Sequence, residues 1–257
     1  MINTCPKRVY IIQKNYCKGD KVVLNSAKKL FADYAASRVK DIRNYPLQNR
    51  MLSVYADVLA ACRNVYDSGI IFPQGGASAK RRETPNVNEI LGNMATRIYD
   101  YLSNPNNLQM SMEEFDEFHN LLCSDFCTAL NNARRSVGYV ELCYGSAQKA
   151  VNMVFKYLAC YKDFDLYKDY FKWCHMPIDT VILKWLKDNY NISNIKYSVY
   201  VNKEGRSSLS ATYLKTAWTK FDCQTYKSLL QIVRESVSGD ARFSAMPLLD
   251  VEFAIWQ

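Results

Sequence analysis

Lys149 and Asp179 are the two side chains of this 257-residue sequence whose types and settings best suit covalent or electrostatic chemistry. A neutral lysine amine is a nucleophile toward an electrophilic carbon, and a carboxylate beside it stabilises positive charge developing there. Lys149 closes the run Gly145-Ser146-Ala147-Gln148-Lys149. The glycine permits a sharp turn and a close backbone approach to a ligand. The spacing predicts a helix ending near Cys143, a tight turn at Gly145 and a new helix from about Ala147. Free N–H groups at such a helix start can hold a phosphate. Asp179 follows Pro177, a residue suited to the first helical position, so its carboxylate falls in a first turn, where the helix dipole favours an anion. Taken alone, a lysine and an aspartate at two helix starts do not define a site.

Other constellations are weaker. His119, Cys123 and Cys127 stand at i, i+4 and i+8 on one helix face. They could touch a metal, but a tetrahedral site needs a fourth ligand, and the same positions continue the apolar stripe of Phe115, Phe118 and Leu122. Core packing is the better account of them. His119 and His175 are the only histidines, which excludes a His-rich metal centre. No G-x-S-x-G elbow supports a serine triad. Neither a metal nor a cofactor is expected. The segment from Phe72 to Arg82 combines turn residues with Lys80, Arg81 and Arg82. It reads either as a phosphate-gripping loop or as a solvated surface loop, and it lacks the pattern of a phosphate-cradling P-loop.

The elements that must carry these residues are helical. Apolar side chains recur at helical spacing over 20–45, 52–65 and 87–102, and again in stretches at 147–160, 164–173, 177–188, 208–220 and 222–237. Ser111 and Glu114 have the spacing of a capping box before the stripe Phe115, Phe118, Leu122, Phe126 and Leu130. Strand signals are confined to 9–12 and 195–201, so the expected fold is all-α with at most minor β-hairpins. With 49% hydrophobic and 23% charged residues the composition is that of a globular protein, which excludes a disordered or fibrous chain. No apolar run reaches the roughly 18 residues of a membrane span, and the first thirteen residues are too short in apolar content for a secretory leader. Nine cysteines, an odd number, read as reduced thiols in the cytoplasm rather than as a disulfide framework. The net charge of +8 permits a polyanionic partner without demonstrating one.

Gly145-Ser146-Ala147-Gln148-Lys149 followed by Pro177-Ile178-Asp179 resembles the signature of the helix-hairpin-helix DNA glycosylases, in which a hairpin of the type L-P-G-V-G-x-K precedes P-[VIL]-D. Gly145 stands at the first glycine, Ala147 at the second, Lys149 at the nucleophilic lysine and Asp179 at the catalytic aspartate. The 30-residue separation and the Gln148-Lys149 pair are most similar to the archaeal 8-oxoguanine glycosylase branch, with which the length and the segment Pro247 to Trp256 are also compatible. Ala147 departs from the glycine of that pattern, and Cys143 and Tyr144 depart from its leucine and proline. Only Cys223 lies beyond Asp179, so the iron–sulfur loop of the endonuclease III-like branch is missing.

The resemblance implies two helical lobes around an active-site cleft: a discontinuous lobe of 1–60 plus 166–257 carrying Asp179, and a continuous lobe of 61–165 carrying the hairpin and Lys149. It implies a cytoplasmic, nucleoid-associated monomer, with no membrane partner, that acts on double-stranded DNA. The target nucleotide would be flipped into the cleft. Gly145, Ser146, Ala147 and Gln148 would hold a backbone phosphate, with Lys80, Arg81, Arg82, Arg134 and Arg135 adding attraction. Phe72, Trp218 and Trp256, and also Trp173 and Trp185, are the aromatic candidates for stacking on the base. Asp179 would stabilise charge at the sugar C1′. Lys149 would attack that carbon and form a Schiff base, leading to strand cleavage at the abasic site. The excised base would be 8-oxoguanine or another modified base, including one in foreign phage DNA met in defence. A helical DNA-binding module without chemistry and a helical protein-interaction domain are the rival readings.

Overall fold

A computed structural model describes residues 50–69, 84–160, 162–190, 192 and 218–255. Among them are seven α-helices: α1 (Arg50–Asp67), α2 (Val87–Ser103), α3 (Met112–Arg135), α4 (Tyr144–Leu158), α5 (Thr180–Tyr190), α6 (Cys223–Ser238) and α7 (Leu248–Ile255). Short 3-10 segments occupy Pro105–Gln109, Lys162–Phe171 and Trp218–Lys220. No strand occurs among the described residues, and the fold is all-α. The expected strands at 9–12 and 195–201, the helix over 20–45 and the basic loop at 72–82 lie outside the described residues.

The helix starts follow from local chemistry. Ser111 Oγ accepts from the Glu114 amide at 3.2 Å, and Glu114 Oε2 accepts from the Ser111 amide at 2.7 Å, the reciprocal box that the spacing predicts. From that start Phe115, Leu122, Phe126 and Leu130 of the stripe are buried, and Phe118 is half-buried against the core. Asp222 caps α6 by accepting from the Thr225 amide at 2.7 Å. Asp179 caps α5, and Pro177 therefore lies before that helix rather than at its first position.

α4 is the centre of the molecule, and all of its residues are buried. It packs on α1, α3, α6 and the 218–220 turn, while α2 bridges α1 and α3, and α5 meets α7. A helix surrounded on every side is normally apolar throughout. This one carries Ser146, Gln148, Lys149, Asn152 and Lys156 inside the protein. Buried polar and charged groups persist only where partners satisfy them, so α4 has to be read as a scaffold for internal polar contacts. α1 passes through residue 60 without a break, and one cluster of buried side chains draws on both sides of residues 60 and 166.

The hairpin differs from its expected form. The helix predicted to end near Cys143 is α3, and it ends at Arg135; residues 136–143 connect it to α4. The sharp turn falls at Gly138, whose φ of +71° lies in the left-handed region that favours glycine. Gly145 stands instead within the first turn of α4.

Candidate active site

Lys149 and Asp179, 30 residues apart in sequence, form an ion pair between Nζ and Oδ2. The lysine side chain is 2% exposed and the aspartate 13%. Asp179 divides its two oxygens. Oδ1 accepts from the amides of Val181 at 2.9 Å and Ile182 at 3.2 Å, capping α5, and Oδ2 meets the amine. Gln148 fixes the peptide just before the aspartate: its Nε2 donates to the Ile178 carbonyl at 2.8 Å, and its Oε1 accepts from the Ile178 amide at 3.3 Å. Gln148 Nε2 also donates to the Gly145 carbonyl at 2.9 Å. The Trp218 ring lies with its centroid 5.9 Å from the Lys149 amine. Four residues singled out from the sequence, Gln148, Lys149, Asp179 and Trp218, are thus brought together.

Comparison with known protein families, characterised proteins and solved structures finds no match for this chain.

The 218–221 segment packs against the helix start where the phosphate cradle is expected. The Gly145 N–H donates to the Phe221 carbonyl at 2.8 Å, and the Ser146 N–H to the Cys143 carbonyl at 2.9 Å. Ser146, Ala147 and Gln148 are buried. The glycine is required for a close approach, but to this chain's own backbone: a Cβ at Gly145 would stand 1.9 Å from the Trp218 carbonyl oxygen. Gln148 braces Ile178 through both ends of its carboxamide. Arg134 is buried, donating from Nε to the Val140 carbonyl at 2.9 Å, and Arg135 pairs with Glu141. Trp173 donates to the Met110 carbonyl, and Trp185 packs edge-on against Tyr190 and Phe243 in the core. Phe72, Lys80, Arg81, Arg82 and Trp256 lie outside the described residues.

Two groups of residues near the pair were not read from the sequence. Lys156 sits seven positions beyond Lys149 on α4 and pairs with Glu252 of α7 at 2.6 Å, both side chains 1% exposed. Burial pushes the Lys156 amine down and the Glu252 carboxyl up, each opposed by attraction to the other. The spacing of the two lysines puts them near one helical face, which is the one signal available from sequence. On another face of α4 runs a polar chain. Arg234 grips Asp116 through two contacts of 2.6 and 2.7 Å, and Asp116 meets His175 Nε2 at 2.7 Å. His175 Nδ1 lies 2.9 Å from the Tyr226 hydroxyl, which lies 3.1 Å from Asn152 Nδ2. Asn152 reaches Gln148 Oε1 at 3.0 Å and His119 Nε2 at 2.8 Å. These residues come from three helices and one loop with no common spacing, so periodicity carries no trace of them.

Burial holds the His119 and His175 imidazoles below their ordinary value; for His175 the Asp116 hydrogen bond opposes this, and for His119 the nearby His175 adds to it. Burial raises the Asp116 carboxyl, but Arg234 and His175 more than offset this and hold it well below the usual carboxylate range. The His119-Cys123-Cys127 stripe is packed as the sequence suggests. His119 and Cys123 are buried, the Cys127 thiol donates to the Leu142 carbonyl, and no group of three metal-binding side chains occurs among the described residues. No helix among those residues is long and apolar enough to cross a membrane. Cavities of about 500 and 300 Å³ flank α6; the smaller is lined by Asp116, His175, Tyr226 and Arg234, and neither is lined by Lys149 or Asp179.

Proposed function

We propose that the protein is a DNA glycosylase that flips a modified base out of duplex DNA and breaks its glycosidic bond. The observation that carries this reading is the meeting of Lys149 with Asp179 across 30 residues of sequence. These are the two positions that the helix-hairpin-helix glycosylase pattern reserves for the nucleophile and its carboxylate. A carboxylate anchored through one oxygen by two backbone amides holds its second oxygen, the one that meets the Lys149 amine, in place to face developing charge. Asp179 stabilises the positive charge that grows at C1′ as the base departs. Lys149 passes its ammonium proton to the departing base and bonds to C1′ through the freed lone pair, while the C1′–N bond breaks and its electron pair leaves with the base. The C1′–O4′ bond then opens, O4′ taking a proton from the attached nitrogen, and the resulting protonated Schiff base permits loss of a C2′ proton and β-elimination of the 3′ phosphate. Trp218, beside the amine, supplies an aromatic face for the extruded nucleotide. The substrate is duplex DNA carrying 8-oxoguanine or another modified base, and the setting is repair or defence against modified foreign DNA, in the cytoplasm and as a monomer.

The test incubates the protein with a panel of modified duplexes and scores released base and strand nicking separately, with borohydride trapping of the covalent adduct. Base release lost in Lys149→Gln and Asp179→Asn supports the reading. Release without trapping removes Lys149 from the role of nucleophile, and no release from any duplex refutes the proposal. The burial of Lys149 at 2% exposure favours the rival, a helical DNA-binding module in which the pair is structural. That rival binds duplex with a salt-dependent affinity that both substitutions leave in place.

A further inference from the structure

The polar chain that begins at Arg234 ends one residue before Asp179, and its hydrogens can be placed in one consistent direction. Arg234 only donates, so Asp116 accepts on both oxygens. Asp116 is an acceptor toward His175 as well, which puts the imidazole proton on Nε2 and leaves Nδ1 a lone pair. The Tyr226 hydroxyl therefore donates to Nδ1, and its oxygen accepts from Asn152 Nδ2. Asn152 Oδ1 accepts from His119 Nε2, and its amide nitrogen donates to Gln148 Oε1. Gln148 is left with its own Nε2 directed at the Gly145 and Ile178 carbonyls. Reversing any link sets donor against donor or acceptor against acceptor among buried groups, at the full desolvation penalty of each.

We infer that His175, with Asp116 and Tyr226, is a positioning group for the Lys149–Asp179 pair, acting through Asn152 and Gln148 on the Ile178 peptide. This rests on reading Lys149 and Asp179 as the reactive pair. The side of the chain at Asp116 and Arg234 borders the 300 Å³ cavity, while its far end holds the backbone that carries the carboxylate. The orientation of one carboxamide is thereby set from a residue on another helix. None of Asp116, His175 and Tyr226 contacts Lys149 or Asp179 through a hydrogen bond, so any effect on them is transmitted through the chain.

The test compares the wild type with Tyr226→Phe, which removes the hydroxyl and keeps the ring, and with Asp116→Asn at the more exposed end. Single-turnover base release at saturating duplex, on the best substrate of the panel, falls about tenfold in Tyr226→Phe, while the dissociation constant for that duplex stays within about twofold. The proton–nitrogen correlation of the Lys149 ammonium, recorded without DNA, shifts in the same variant. A Tyr226→Phe protein that melts lower yet releases base at the wild-type rate, with the Lys149 resonance in place, overturns the positioning role and leaves a structural one. Where Tyr226→Phe does not fold, the same two measurements on Asp116→Asn decide. Where the wild type releases no base from any duplex, the glycosylase reading fails on its own, and the Lys149 resonance then decides the inference: displacement supports it and constancy overturns it.

Discussion

Removing the two halves of the Lys149–Asp179 pair is expected to have unequal consequences. Asp179→Asn deletes the negative charge but keeps an oxygen able to accept from the Val181 and Ile182 amides, and asparagine caps a helix as well as aspartate does. The substitution therefore isolates the charge. What remains is an ammonium at 2% exposure with the Trp218 ring at 5.9 Å and the Glu252 carboxylate, itself paired with Lys156, within electrostatic reach. Breaking a buried pair from one side costs about 3–5 kcal/mol. The 13% exposure of Asp179 admits water on that side, which lowers the expected loss to about 2–4 kcal/mol. Lys149→Met removes the ammonium and fills nearly the same volume, while the abandoned carboxylate keeps two amide donors and its contact with solvent. Its cost is about 1 kcal/mol or less. Asp179→Ala adds the lost cap, about 1 kcal/mol beyond the asparagine variant. Urea denaturation at pH 7, with a common m-value as the check on two-state behaviour, measures all three. An asparagine variant within about 0.5 kcal/mol of the wild type, or a methionine variant less stable than it, refutes the reasoning.

Three further outcomes follow from contacts elsewhere in the molecule. Gly145→Ala drives a methyl into the Trp218 carbonyl and strains the Gly145–Phe221 hydrogen bond, so urea denaturation registers a loss near the upper end of overpacking, about 3 kcal/mol; a loss under about 1 kcal/mol contradicts the contact. Lys156→Met strands the Glu252 carboxylate and lowers the melting temperature sharply, whereas the double substitution Lys156→Met with Glu252→Leu recovers most of it, and equal losses in the two proteins contradict the pairing. His119 and His175 titrate lower when folded than when unfolded, so the unfolded chain takes up their protons first. Their contribution is full above roughly pH 6.5 and is lost as pH falls, by up to about 3 kcal/mol per pH unit for the two together. The depressed Asp116 carboxyl acts in the same direction below roughly pH 4. A urea midpoint that holds or rises from pH 7 to pH 5 runs against this account.

The helical class, the capping box at Ser111 and the apolar stripe of α3 were legible because each is a local pattern with a period or a fixed spacing. The contact of residues 149 and 179 was suggested by a short motif rather than by any period. The misplaced hairpin turn has a physical cause: Gly145 was given the role of a bend, when its missing Cβ instead makes room for the Trp218 carbonyl contributed from more than seventy residues away. The cradle of amides was lost for the same reason, since a helix start offers its N–H groups only where nothing in the chain reaches them first, and Phe221 does. The Asp116–His175–Tyr226 chain and the Lys156–Glu252 pair were invisible because each joins separate elements at spacings that no single helix imposes.

The helix that carries Lys149 is enclosed over its whole length. Its ammonium groups and carboxamides are tolerable indoors only once their partners on α3, α6 and α7 and at the start of α5 have closed around them. The internal polar contacts and the fold therefore arise in the same step, and a half-assembled chain exposes Lys149 to solvent without Asp179 beside it.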